Sequence, residues 1–160
     1  MPNYVTAVIR LEGPDHEIER FKRENKGEMG PFSFVPGHTP PQGLPTTSTG
    51  YSYPPSMQWK VDHWGTKGDC CVLSESWGDD EDGKPHALRY WTAWSPATPY
   101  YLHVSKAYPD LTFYHAFLDE GGFEEGMGRQ VIRNGRVCAH TTVVDRTPEW
   151  EALYNYVGDP

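Results

Sequence analysis

The chain has 160 residues, 37% of them hydrophobic and 14% aromatic, with a formal net charge of −8. That length suits one domain with a single real core, built from large rings that each bury roughly 150–250 Å². The acidic balance argues against a protein whose main work is neutralising phosphates, because affinity for duplex DNA comes largely from Lys and Arg contacts; no direct DNA binding is expected.

No basic, apolar leader opens the chain, and no apolar run approaches the ~20 residues that span a bilayer. The expectation is a cytoplasmic protein with no membrane partner. Cys70, Cys71 and Cys138 form no disulfide framework and read as buried structural thiols in a reducing compartment.

Residues 3–12 alternate cleanly, with Val5, Ala7, Ile9 and Leu11 on one face, which predicts a half-buried strand. Gly13-Pro14-Asp15 opens a helix near 14–25, with Ile18 and Phe21 on its buried side. Residues 31–35 read as a short strand. Between Pro36 and Ser56, sixteen of twenty-one residues are Pro, Gly, Ser or Thr. That segment predicts an extended loop, open to proteolysis unless it is laid over the sheet.

Strands are expected at 69–77 and 86–94, joined by the acidic turn Gly78–Gly83, which reads as a solvated hairpin tip. That turn lacks the ligand pattern of an EF-hand loop. Ser95-Pro96 or Thr98-Pro99 should cap a helix near 96–108. A strand at 111–118 follows, then a hairpin turning at Asn134-Gly135, a strong type I′ signal. Thr147-Pro148-Glu149 should cap a last helix.

The order strand, helix, strand, strand, helix, strand is that of an α+β, ferredoxin-like split βαβ fold with helices on one face of an antiparallel sheet. A C-terminal β-hairpin and short helix are appended to it. The whole chain, 1–160, is expected to form one domain. The sheet face opposite the two main helices should be free for a partner, the long loop or the C-terminal extension.

Two tracts stand out: Trp64-Gly65-Thr66-Lys67 and Thr92-Ala93-Trp94-Ser95-Pro96. With the Met1-Pro2-Asn3 start, the Trp59–Asp69 segment, Tyr108-Pro109-Asp110-Leu111 and the glycine-rich Phe123–Gly128 stretch, they resemble the YubB-like, ferredoxin-fold proteins of bacteriophages and conjugative plasmids. The chain departs from that pattern at Gly68, where Trp is usual, and at Ala97, where a second Pro is. The resemblance implies the fold and a mobile-element origin, and supplies no catalytic mechanism.

Seven histidines occur without CxxC or HExxH spacing, so no metal site is expected. There is no nucleophile elbow, Walker loop or dinucleotide fingerprint, and Glu124-Glu125 reads as a solvated pair rather than a catalytic one. No cofactor and no catalytic residue is assigned. The binding reading has more substance. Trp64 and Trp94 offer flat rings, Thr66 and Lys67 a hydroxyl and an ammonium, and Ser95 a helix start suited to anions. Base stacking on such rings is worth about 1–3 kcal/mol. The competing reading makes both tryptophans core, Ser95 a cap and Lys67 a solvated charge.

The expected function is therefore non-enzymatic binding, with sequestration of a small anionic or nucleotide-like host molecule set first. The alternative is an inhibitor or adaptor that docks on a host protein through an acidic surface, in the manner of a nucleic-acid mimic. A small enzyme stands third. The sequence leaves a homo-oligomer open.

Overall fold

A computed structural model of the chain describes residues 3–50, 52–122 and 126–158. Strand β1 (Tyr4–Glu12) lies inside a six-stranded antiparallel sheet of order β2-β3-β1-β4-β5-β6. Its neighbours are β3 (Ala87–Ala93) and β4 (Thr112–Asp119), paired from Tyr4↔Ala93 and from Val5↔Asp119. The first four strands reproduce the ferredoxin-like order. The hairpin β5 (Gly128–Arg133) and β6 (Arg136–Thr142) extends the sheet beyond β4. Its two-residue turn holds Asn134 at φ 45° and Gly135 at φ 76°, the signs a type I′ turn requires.

Helices α1 (Asp15–Glu24) and α4 (Thr98–Val104) pack on one face. Ile18, Phe21, Tyr100, Tyr101 and Val104 meet Val5, Ala7, Ile9, Leu11, Leu88, Tyr90 and Phe113 in one core. Helix α1 places Asp15 and Glu17 in its first turn and Lys22 and Arg23 in its last, complementing the helix dipole. The opposite face is not open. Helix α5 (Pro148–Val157) lays Leu153 and Val157 against Ala116, Leu118, Met127 and Val143, so β1 is buried on both sides. Thr147 caps α5 through its side chain, which accepts the Trp150 amide at 3.2 Å.

The structure corrects several local expectations. The second strand shrinks to β2 (Cys71–Val72). Past it, Leu73 and Ser74 both donate their amides to the Arg89 carbonyl while the Ser74 hydroxyl takes the Arg89 amide. One side chain thereby replaces a rung of the ladder, and pairing resumes only as an isolated bridge between Gly78 and Ala87.

Residues 31–35 are not a strand. Ser33 accepts the Val35 amide and caps the single turn α2 (Phe34–Gly37). The tail of the proline-rich segment and the Trp-rich segment form α3 (Pro55–Trp64), with Pro55 in its first turn, where a missing N–H costs nothing. Between Gly37 and Pro55 the described residues contain no helix or strand.

Helix α4 starts at Thr98 after Ala97 and has no side-chain cap, so neither Ser95 nor Thr98 caps it. The acidic turn is not wholly solvated, because the Asp80 side chain is only 2% exposed. Cys71 and Cys138 are exposed rather than buried.

Candidate functional site

The two tryptophan tracts meet where α3 ends and α4 begins. Gly65 closes α3 in the left-handed region at φ 80°, its amide bonded to the Val61 carbonyl. A Cβ there would sit 2.7 Å from Pro99 Cδ and 3.0 Å from the Pro96 carbonyl oxygen, so only glycine allows the approach. Across this junction the Ser95 hydroxyl donates to the Gly65 carbonyl, and the Thr92 hydroxyl donates to the Ser95 carbonyl at 2.9 Å.

The five residues singled out in the sequence come together but divide by role. Trp64 is 1% exposed and packs edge-on to Phe34 and Trp59, its Nε1–H donating to the His38 carbonyl at 2.9 Å. Thr66 is equally buried, and its hydroxyl closes a local turn by donating to the Gly68 carbonyl and accepting the Gly68 amide. Ser95 is committed to Gly65, as described. These three groups stabilise the junction.

Lys67 and Trp94 are half-buried, and the ammonium lies 4.8 Å from the indole centroid, a cation–π contact. Tyr53 of the proline-rich segment joins them, 5.3 Å from Trp94. Trp94 sits at φ 81°, its amide tied to the Asn3 carbonyl at 2.7 Å. A bulky side chain in that region is backbone strain of the kind that gathers at functional sites.

A second feature lies elsewhere, along the β2 edge of the sheet. Residues 26–36 and 69–75 face each other across a groove of about 940 Å³. Asp69 fastens its two walls at one end, accepting the Ser33 hydroxyl at 2.5 Å and the Phe34 amide at 2.7 Å. Met29 (99% exposed), Leu73 (44%) and Val35 (40%) present apolar surface along it, while Glu28 and Glu75 are exposed carboxylates among its lining. Burial, reinforced by the Asp69 carboxylate, pushes the Cys70 thiol well above its ordinary value, so it is no ready nucleophile.

Nothing in the sequence drew attention to this groove. Its apolar residues are scattered singly in loop-like stretches, and they converge only because β2 docks beside the α1–α2 connection. The paired carboxylates Glu124-Glu125 lie outside the described residues. Among the described residues no group of three or more His, Cys, Asp or Glu is arranged to hold a metal ion, and no helix is long and apolar enough to cross a membrane.

Comparison with known families bears on the half of the chain that carries the second tryptophan tract. Residues 74–151 match the family described as a ferredoxin-like domain in Api92-like protein. The matched span is just under half of the chain and runs from the end of the groove through β3, α4 and the β5–β6 hairpin into α5. It contains Trp94 and Ser95, whereas Trp64, Thr66 and Lys67 precede it. No curated protein and no solved structure matches the chain.

Proposed function

We propose that the protein is a non-enzymatic binding module that docks a polypeptide partner in the groove beside β2. The observation that carries this reading is the concentration of exposed apolar side chains there. Met29, Val35 and Leu73 are three of the six large hydrophobics left exposed on the described surface, and all three line this groove. Apolar surface gathered and rimmed by polar groups marks interaction sites on soluble proteins.

Glu28 and Glu75, within a chain of net charge −8, favour a segment that places apolar side chains between Lys or Arg residues. The resemblance to phage and plasmid proteins supports a mobile-element origin, with the partner a cytoplasmic protein of the bacterial host. Peptides selected from a random display library should therefore carry that apolar–basic pattern. Their calorimetric affinity should fall at least about tenfold, near 1.4 kcal/mol, with Met29→Glu or Leu73→Glu. Lys67→Ala should leave it unchanged. Selected peptides indifferent to both Met29→Glu and Leu73→Glu would rule the groove out.

The strained φ of Trp94 favours a second reading, a small planar anion stacked at Trp94 between Tyr53 and Lys67. Saturable quenching of tryptophan fluorescence by a mononucleotide, weakened by Lys67→Ala, is the expected sign. A flat titration would remove it.

A further inference from the structure

We infer that His38, His63 and His103 form an acid-released clasp that holds α2 and the start of the proline-rich strap against α3 and α4. His38 follows α2 directly and begins the strap. Its ring stacks on His103 of α4 with centroids 3.5 Å apart and planes 11° from parallel. It also meets His63 edge-on at 5.3 Å and Trp59 at 4.9 Å, both on α3. Trp59 and His63 stack on each other at 4.3 Å, and the His63 Nδ1 lies 2.8 Å from the Trp59 carbonyl oxygen. The His38 carbonyl accepts the Trp64 indole, so one residue joins the strap to both the ring cluster and the core.

The neighbouring groups that act on His38 and His103 are all basic. His38 faces His103 and His63; His103 faces His63 and Lys106, just beyond α4. On α3, Lys60 lies over the Trp64 ring, and Asp62 accepts the Gln58 amide at 2.8 Å. Among the described residues no ion pair reaches any of the three imidazoles. Protonating one ring thus puts a charge inside the ring cluster, where no ion pair among the described residues answers it.

Burial chiefly, with the neighbouring imidazoles, lowers His38 to about 4, and burial with Lys106 lowers His103. A base held below its ordinary value in the folded state stabilises that state above the ordinary value. The contribution is lost as pH falls from about 6.5 towards 4. The clasp is therefore shut at neutral pH and opens in mild acid. Because Val35 and Pro36 line the groove beside β2, opening loosens that wall as well. The test does not depend on whether the groove binds anything.

Amide hydrogen exchange, corrected for its intrinsic pH dependence, should be followed at pH 7.5 and pH 5. Protection of the amides of His38 and of α3 should fall at least about tenfold more than that of β1 and β4. The His38→Phe/His103→Phe pair keeps two flat rings without a titratable nitrogen and should abolish the difference. Equal loss across the sheet, no loss in the clasp, or the same difference in the double variant would each overturn the proposal. Should the double variant fail to protect its sheet at pH 7.5, the imidazole resonances of the unaltered protein decide. His38 and His103 titrating below about pH 5.5, in step with strap opening, support the clasp; both titrating near 6.5 refutes it.

Discussion

At the residue scale, the junction between the two tryptophan tracts turns on contrasts that residue type alone does not show. Trp64 and Trp94 sit in similar local sequence, yet one is interior and the other a half-buried ring on strained backbone. Trp64→Ala should cost about 3–5 kcal/mol, since it empties a filled core site and orphans the His38 carbonyl. Lys67→Ala should change stability by no more than about 1 kcal/mol, the range of a cation–π contact that water still reaches, Lys67 and Trp94 both being half-buried. Equal losses in chemical denaturation would contradict that division. Gly65→Ala forces a Cβ into Pro99 at a positive φ, which predicts a loss of about 2 kcal/mol or more, read as a lower denaturation midpoint.

That the five residues converge was legible in the sequence, because the segment before β2 and the end of β3 lie at one end of adjacent strands. Their partners were not. Ser95 and Thr66 spend their hydroxyls on backbone carbonyls, and nothing in a linear pattern distinguishes that from a hydroxyl waiting for an anion.

At the element scale, α5 acts as a latch on the second face of the sheet. The Tyr156 hydroxyl donates to Asp80 at 2.7 Å, tying the helix to the acidic turn between β2 and β3. Asp80 also accepts the Lys84 and Asp82 amides and lies 3.5 Å from the Arg10 guanidinium. Burial opposes the charge on Asp80. The Lys84 amide, the Tyr156 hydroxyl, the Asp82 amide and Arg10 together outweigh it and hold the carboxyl below its usual range.

Asp80→Ala should destabilise by about 2 kcal/mol, because it removes the acceptor of the Lys84 and Asp82 amides and of the Tyr156 hydroxyl and leaves the buried Arg10 guanidinium to Glu12 alone. Tyr156→Phe should cost only about 1 kcal/mol, one hydrogen bond without the charge. No measurable loss in either variant by urea denaturation would show that the latch is mere packing. Strands and turns with strong local signals were readable: β1 from its alternation, the β5–β6 turn from Asn134-Gly135, the cap of α5 from Thr147-Pro148. Helix α3 was not, because Pro54-Pro55 prolongs a coil-like composition up to its first residue. The shortness of β2 was equally hidden, since it follows from Ser74 capturing the Arg89 amide, a long-range event.

At the scale of the whole molecule, the sheet is covered on both faces at β1, and its interior holds a titratable group. His115 is buried on β4, its Nε2 2.9 Å from the Tyr90 hydroxyl, which in turn accepts the Tyr101 hydroxyl at 3.1 Å. Burial lowers this imidazole to about 3, overriding the opposing effect of the nearby Gln130 side chain, while the same burial pushes both tyrosines well up. All three groups are neutral in the folded protein at any moderate pH.

An unfolded chain takes a proton on His115 below about pH 6.5, so the unfolded state binds more protons there and stability is lost as pH falls. The slope from this one group approaches about 1.4 kcal/mol per pH unit between pH 6 and the lowered value, and vanishes above pH 7. His115→Gln keeps an acceptor for the Tyr90 hydroxyl and removes the proton site. It should lower stability at pH 7.5 through imperfect packing, yet flatten the dependence between pH 6 and 4 by about one such slope. Urea denaturation of both proteins at pH 7.5, 5.5 and 4.5 provides the measurement. Parallel pH profiles would mean that His115 takes its proton as readily in the folded core as in the unfolded chain.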